Sequence, residues 1–234
     1  MKTHATKREL LVQATEYIKS QGFHLMTKDD IPRFAECAAE AYESVSYPLT
    51  NYFVGHTGTK DELRTMWLFN LNCLHTKAVI YSDSPECNAW FLWIPPGFKG
   101  FSMKDSLLHG GINMAFQLGL PSIRRMLHYE DYALSVRMQA TKGQEWYLYN
   151  AAVRPEAQGR HLAARLIRPM LDFCALQQSP IYLETHYPKN VSIYQHFGFT
   201  VFSDNHLPKT TLTHWGMVKM PTGTKYESFA EKRF

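Results

Sequence analysis

The spacing of the apolar residues changes period twice between Glu145 and Phe199, and this stretch constrains the fold more than any other. Residues 145–153 are rich in aromatic and β-branched side chains and have the length of one buried strand. After Gly159, apolar residues at spacings of three and four predict an amphipathic helix; they are Leu162, Leu166, Met170 and Phe173. Residues 180–185 predict a second strand. A strand, a helix and a strand in this order form a right-handed βαβ unit with parallel strands.

The turn ahead of this helix has the features of an anion site. A helix begins with unpaired backbone N–H groups, and its dipole adds partial positive charge there, so a phosphate fits this end. Four arginines surround the turn, and guanidinium groups suit a ligand with several phosphate charges; they are Arg154, Arg160, Arg165 and Arg168. Many helices that bind no ligand also begin near a glycine, so the turn alone is weak evidence.

Two motifs in this stretch resemble the signature of the GNAT acetyltransferases. Gln158 to Ala163 is similar to the family's pyrophosphate motif, (Q/R)xxGx(G/A), with His161 in place of the middle glycine. Asn190 to Phe199 is similar to the second part of the signature, NxxxYxxxGF. Two motifs in the family's order and at its separation are far more specific than either motif alone.

Within that superfamily, the resemblance extends along most of the chain to the puromycin N-acetyltransferases. The matching blocks are residues 25–33, 89–95 and 146–221. Residues 98–142 show no match, and we expect the choice of acceptor to differ there.

The resemblance implies an α/β fold with a mixed, mostly antiparallel sheet flanked by helices, in which a parallel central strand pair is splayed to admit acyl-CoA. The apolar pattern predicts helices at 7–20, 60–75, 102–118 and 122–141, and a further one capped by Asp29 or Asp30 with Pro32 near its start. It predicts the remaining strands at 23–26, 77–82, 88–94, 200–204 and 212–220. We predict a single domain over 1–234, with 1–22 as an appended N-terminal helix and 221–234 as a polar tail.

The family resemblance implies acetyl-CoA as co-substrate. It assigns the cofactor site to Ala152, Val153, Arg154, Gln158, Gly159, Arg160, His161, Leu162, Ala163, Asn190 and Tyr194. In proteins resembling this one, the Asn190 side chain binds the pantetheine arm and the Tyr194 hydroxyl protonates the departing thiolate. A phenol with a pKa near 10 is protonated at neutral pH and can donate that proton. The alternative is a core tyrosine bonded to a backbone carbonyl.

The remaining catalytic groups follow from what the chemistry needs. The resemblance places a backbone N–H for the acyl oxygen near Ala152 and Val153. Residues 145–153 contain no Cys or Ser to form an acyl-enzyme, so direct attack in a ternary complex is favoured over a ping-pong route. The candidates to accept the amine proton, through a water, are Glu184 and His186. Alternatively, Glu184 is a structural partner of other side chains and His186 is a plain loop residue. The eleven histidines form no HxxxH or HExxH pair, which argues against a metal.

Aromatic side chains are the candidates for the acceptor site, and we assign it to Tyr42, Tyr47, Trp93 and Tyr132. Ordinary packing explains the aromatics near Tyr47 equally well. Residues 129–132 place two carboxylates, Glu130 and Asp131, beside Tyr129 and Tyr132, and a carboxylate near an aromatic surface can attract a cationic amine. A solvated charged face is the favoured interpretation of that segment.

Composition limits the remaining functions. The net charge of +4 is scattered and forms no basic stripe, so nucleic acid is not expected as a partner. The four cysteines form no CxxC pair, and no apolar run has the length of a membrane span. We therefore expect a cytoplasmic protein with reduced thiols, as a monomer or homodimer, without a membrane partner.

These features together predict an N-acetyltransferase that moves acetyl from acetyl-CoA to a primary amine of a small molecule. The resemblance suggests an aminonucleoside-like or other antibiotic amine. The alternatives are a peptide or protein N-acetyltransferase, and a sensor that binds acyl-CoA without turnover.

Overall fold

A seven-stranded sheet forms the centre of the computed structural model, which describes residues 6–223. The strand order is β1-β2-β3-β4-β5-β7-β6, with bounds β1 His24–Leu25, β2 Val79–Ser82, β3 Ala89–Ile94, β4 Trp146–Val153, β5 Ile181–Thr185, β6 Thr200–His206 and β7 Thr213–Lys219. Most of the predicted polar tail, residues 224–234, lies outside the described residues, as do residues 1–5 of the predicted N-terminal helix segment.

Nine α-helices occur in the described part of the chain. They are α1 Lys7–Ser20, α2 Ile31–Ser44, α3 Pro48–Val54, α4 Lys60–Leu74, α5 Met103–Leu108, α6 Gly111–Leu118, α7 Leu120–Thr141, α8 Leu162–Leu176 and α9 Pro188–His196. Short 3-10 turns cover Lys28–Asp30 and Pro155–Ala157. Across these same residues, no helix combines the length and apolar character that a bilayer crossing requires.

The sheet is antiparallel except for β4 and β5, which confirms the predicted mixed architecture. The parallel pairing is short, because it joins only residues 146–148 to residues 181–183. Beyond Leu148, β4 continues beside β3 alone, and beyond Leu183, β5 continues beside β7 alone. A bulge that leaves Tyr149 without an opposite residue marks the point where the two strands part.

Helices cover both faces of the sheet, so β3 is buried along its whole length. Its side chains alternate between two cores. Trp90 and Leu92 belong to the core that includes residues of α2 and α4, whereas Phe91 and Trp93 belong to the core that includes residues of α1 and α8. The site described below lies where these two layers meet the parted ends of β4 and β5.

Two local predictions were wrong. The single helix expected over 102–118 is divided into α5 and α6, because Gly110 has φ +95° and a Cβ on Gly111 would lie 2.5 Å from the Ser106 carbonyl oxygen. Asp30 precedes α2 but does not cap it. Its carboxylate turns back to accept hydrogen bonds from the backbone N–H and hydroxyl of Thr27, at 2.9 and 2.7 Å.

A buried ion pair ties α7 to the start of β4. Arg137 Nε lies 3.3 Å from Glu145 Oε1, and the two side chains are only 4% and 1% exposed. Arg137 also donates to the Phe98 carbonyl oxygen at 2.8 Å, and Glu145 accepts from Thr141.

We predict that Glu145→Gln lowers the free energy of unfolding by roughly 3 kcal/mol, because it leaves a buried guanidinium without its carboxylate. Chemical denaturation measures this change. Glu16→Gln, on the exposed face of α1, is the control and should stay within about 0.5 kcal/mol of wild type. Equal stabilities for the two variants would contradict the role of the pair.

Candidate active site

Two cavities meet at the gap between β4 and β5. The larger, of about 780 Å³, lies between the N-terminus of α8, α9 and the end of α2, and the smaller, of about 120 Å³, lies among α3, α4, α7 and the strand ends. The residues that line both are Tyr42, Tyr47, Ala151, Asn190 and Tyr194. A molecule in one cavity can therefore meet a molecule in the other at these side chains.

The turn before α8 exposes a run of backbone N–H groups to the larger cavity. Gly159 has φ +75° and His161 has φ +59°, both in the left-handed region that favours glycine. Within residues 6–223, no backbone N–H of residues 159–164 donates a hydrogen bond. His161 therefore adopts the conformation for which the family motif uses glycine, and histidine is among the side chains that enter this region more readily than most.

Arginine side chains do not line the larger cavity, which differs from the prediction. Arg154 pairs with Glu40 and donates to the Cys87 carbonyl oxygen at 3.0 Å. The guanidinium of Arg165 lies 5.5 Å from the Phe23 ring and that of Arg168 lies 6.0 Å from the Phe197 ring, whereas Arg160 is exposed and outside the lining. The basic side chains that do line it are His161, Lys189 and His196.

Eight of the eleven residues assigned to the cofactor line the larger cavity: Val153, Gln158, Gly159, His161, Leu162, Ala163, Asn190 and Tyr194. The other three, Ala152, Arg154 and Arg160, do not. Ala152 is 1% exposed and packs into the opposite core, because successive residues of a strand point to opposite faces. Ala151 lines the cavity in its place.

The smaller cavity is aromatic and acidic. Its aromatic lining comprises Tyr42, Tyr47, Phe53, Trp67, Tyr129, Tyr147, Tyr149 and Tyr194. Two carboxylates, Glu130 and Glu184, also line it, and neither lysine nor arginine does. The cavity therefore suits a small cation with apolar surface.

Glu184, a predicted proton acceptor, lies at the end of β5 inside this cavity. One carboxylate oxygen, Oε1, accepts hydrogen bonds from the hydroxyl groups of Tyr147 and Tyr129, the latter at 3.4 Å. The other, Oε2, is buried and has no hydrogen-bond partner in the described part of the chain. Burial raises the pKa of Glu184 to about 7 against the opposing effect of the two hydroxyl groups.

His186, the second candidate, is buried beside another histidine. Its Nε2 lies 3.3 Å from His214 Nδ1, and its backbone N–H donates to the Tyr47 hydroxyl at 3.1 Å. Burial, and then the neighbouring imidazole, hold the pKa of His186 well below its usual value, so its side chain is neutral at pH 7. No group of three or more His, Cys, Asp or Glu within 6–223 is placed to hold a metal ion.

Tyr194 stands at the junction of the cavities. Its ring lies 5.9 Å from that of Phe199, and its hydroxyl makes no hydrogen bond with residues 6–223, including the backbone carbonyl bond considered as the alternative. Burial raises its pKa above the usual value, so the phenol is protonated at neutral pH. On the same face of α9, Asn190 Nδ2 donates to Thr185 Oγ1 at 3.2 Å.

Two of the four aromatic residues assigned to acceptor binding line the smaller cavity. Tyr42 and Tyr47 do so, and the Tyr42 hydroxyl donates to Asn150 Oδ1 at 2.5 Å. Trp93 does not, because it is fully buried on the opposite face of β3. Tyr132 lies outside the cavity with its ring 5.2 Å from that of His214, because it is two residues from Glu130 and so on another face of α7.

Glu130, which the sequence offered only as the less favoured partner of a cationic amine, lines the smaller cavity. The favoured interpretation of this segment as a solvated face was therefore wrong for Glu130 and for Tyr129, which is 3% exposed. The sequence contains a signal for the inward position of Glu130, because helical spacing puts it on one face with three other residues of α7. They are Met126, four residues earlier, Ala133, three later, and Arg137, seven later.

Comparison with known proteins agrees with this geometry. Residues 126–199 match the model of the acetyltransferase (GNAT) family. Over 54 residues the chain is 41% identical to an uncharacterised N-acetyltransferase of Schizosaccharomyces pombe, a match that covers 23% of the chain and only 22% of that protein.

Two crystal structures share the fold. One, described as histone acetyltransferase HPA2 and related acetyltransferase from Corynebacterium glutamicum, has a TM-score of 0.55 at 17% identity and covers 87% of this chain and 99% of its own. A mosquito arylalkylamine N-acetyltransferase like 5b has a TM-score of 0.50 at 15% identity, with 85% and 98% covered. The architecture is thus the GNAT fold. The family match covers residues 126–199, the part of the chain that holds the turn before α8, helix α9 and the parted ends of β4 and β5.

We predict that Gly159→Val abolishes binding of CoA, because a β-branched residue at φ +75° forces the turn to move. Titration calorimetry with CoA measures the affinity. Gly22→Val is the matched control, since Gly22 has φ +79°, has open space around it and lies outside both cavities. It should lose stability and keep its affinity; unchanged affinity in Gly159→Val would contradict the assignment of the turn.

Proposed function

We propose that the protein is an acetyl-CoA-dependent N-acetyltransferase that acetylates a primary amine of a small molecule by direct attack in a ternary complex. The observation that carries this proposal is the meeting of a cavity lined by unpaired amides with an acidic, aromatic cavity at the hydroxyl of Tyr194. Holding both substrates at one junction supplies much of the rate of such a reaction.

The larger cavity suits the co-substrate, which supplies the acetyl group as a thioester. The amides of residues 159–163 bind its diphosphate at the N-terminus of α8. Lys189, His161 and His196 supply the side-chain donors toward its phosphates, since no arginine lines this cavity. Asn190 and Val153 line the path toward the gap between the strands.

Three groups of the chain act on the reacting atoms. The Glu184 carboxylate takes the proton from the acceptor ammonium, directly or through a water, and its pKa near 7 suits a base at neutral pH. Beyond Leu148, β4 has no ladder partner on the side of β5, so a backbone N–H on that edge can donate to the acyl oxygen. The freed amine attacks the acyl carbon, and as the C–S bond breaks the Tyr194 hydroxyl gives its proton to the departing thiolate. The second proton of the attacking nitrogen then restores the Tyr194 phenol through water, and Glu184 releases its proton to solvent.

The shape of the acceptor cavity supports a small amine over an extended peptide, because its volume is about 120 Å³. Helix α7 brings Tyr129 and Glu130 into this cavity. Both belong to residues 98–142, the segment that does not resemble the puromycin N-acetyltransferases. An aminonucleoside-like or other antibiotic amine stays a prediction of that resemblance. A sensor without turnover has no use for a carboxylate and a free phenol at one junction.

We predict that Tyr194→Phe lowers kcat by roughly 100-fold and leaves the affinity for acetyl-CoA nearly unchanged, because only the proton donor is removed. Thiol release with a small primary amine measures kcat, and calorimetry measures the affinity. Tyr187→Phe is the control, since Tyr187 lines the larger cavity alone. Wild-type turnover in Tyr194→Phe would remove the general acid from the mechanism.

We predict that kcat/KM falls as the pH drops below about 7, because the Glu184 carboxylate must be ionised to accept a proton. An acceptor with an amine pKa near 10 stays protonated from roughly pH 5.5 to 8.5, so the inflection belongs to the protein. Glu184→Gln keeps the shape of the side chain. It should lower kcat/KM by about 100-fold and abolish the fall in kcat/KM below pH 7. A Glu184→Gln variant with wild-type kcat/KM and the same fall below pH 7 would exclude Glu184 as the base.

A further inference from the structure

A second carboxylate shares the acceptor cavity, and the proposed chemistry does not use it. Glu130 comes from the middle of α7 and lines the cavity together with Glu184 of β5. Within residues 6–223 it takes part in no ion pair and no side-chain hydrogen bond. Burial, and then the charge of Glu184, raise the pKa of Glu130 to about 7 against the opposing effect of Arg137.

No cationic side chain in the cavity balances these two carboxylates. Its lining contains neither lysine nor arginine, and its one histidine, His186, is neutral at pH 7. Arg137 lies behind the wall, with its guanidinium carbon 4.3 Å from the centre of the Tyr147 ring, where it pairs with Glu145. The cavity therefore presents negative charge within an aromatic wall, which attracts a cation.

The unpaired oxygen of Glu184 points independently to a ligand with donors. Oε2 is buried and lacks a hydrogen bond, whereas Oε1 of the same carboxylate accepts from two tyrosines. A buried carboxylate oxygen without a donor is unfavourable. An ammonium group carries three N–H donors and no acceptor, so it matches an unpaired oxygen in a cavity that a second carboxylate also lines.

We infer that Glu130 and Glu184 together bind the ammonium group of the acceptor, and that the acceptor is a cationic aromatic or apolar amine with no carboxylate beside the amine. This inference rests on the proposed function and names its substrate class. Glu130 binds the ammonium group and so selects the acceptor, whereas Glu184 binds the same group and also takes its proton. An α-carboxylate on the acceptor would face two like charges with no lysine or arginine in the cavity to receive it.

Three acceptors that share one phenethylamine skeleton separate charge from shape: phenethylamine, phenylalanine and phenylalaninamide. Phenylalaninamide replaces the carboxylate by a neutral amide of nearly the same volume. We expect kcat/KM for phenylalanine to be at least about 100-fold below that for phenethylamine, and the amide to recover most of the loss. Equal values for phenethylamine and phenylalanine would overturn the inference.

The variant that tests the residue is Glu130→Gln, which removes the charge and keeps the shape. We expect KM for phenethylamine to rise at least about tenfold with kcat within a few fold, and CoA affinity to stay at the wild-type value. The matched control is Asp131→Asn, which neutralises the adjacent exposed carboxylate outside the cavity and should change neither parameter. An unchanged KM in Glu130→Gln would overturn the inference.

Calorimetric titration of phenethylamine into the protein saturated with CoA separates this inference from the proposed function. Binding that weakens at least about tenfold in Glu130→Gln supports the recognition site even if no amine is acetylated, and in that case only the proposed reaction fails. Equal binding by wild type and Glu130→Gln, or absence of binding by wild type, overturns the recognition site whatever the turnover.

Discussion

Beyond Leu148 and Leu183, β4 and β5 no longer pair with each other, but β4 stays paired with β3 and β5 stays paired with β7. The bulge at Tyr149 lets β4 change direction there while it stays paired with β3. Because both strands remain anchored along their outer edges, the gap between them is a fixed feature of the sheet. Both cavities open onto this gap, so the place where they meet follows from the strand pairing.

The two sides of the gap carry opposite electrostatics. On the α8 side, unpaired amides and the helix dipole accompany three basic side chains, which favours an anionic ligand. On the α7 side, two carboxylates lie within an aromatic wall, which favours a cationic one. Tyr194, with a raised pKa, is the neutral group between them. This arrangement suits an anionic ligand on one side of the gap and a cationic ligand on the other.

Sequence predicted the parts of the site that depend on local conformation. The turn at 158–163 and the Asn190/Tyr194 pair could be found because each is set by one short segment. The contents of the acceptor cavity could not, because Glu130 and Glu184 are brought together by packing between elements 54 positions apart in the chain. The arginines show the converse error: all four lie near the turn in the sequence, but Arg154 pairs with Glu40, and Arg165 and Arg168 lie against the rings of Phe23 and Phe197.

A crystal structure of the protein with CoA tests the central claim most directly. The account predicts the diphosphate against the amides of residues 159–163, and the sulfur in the gap between β4 and β5, within about 3.5 Å of the Tyr194 hydroxyl. A diphosphate bound elsewhere, or a sulfur on the far side of β4 from Tyr194, would contradict it.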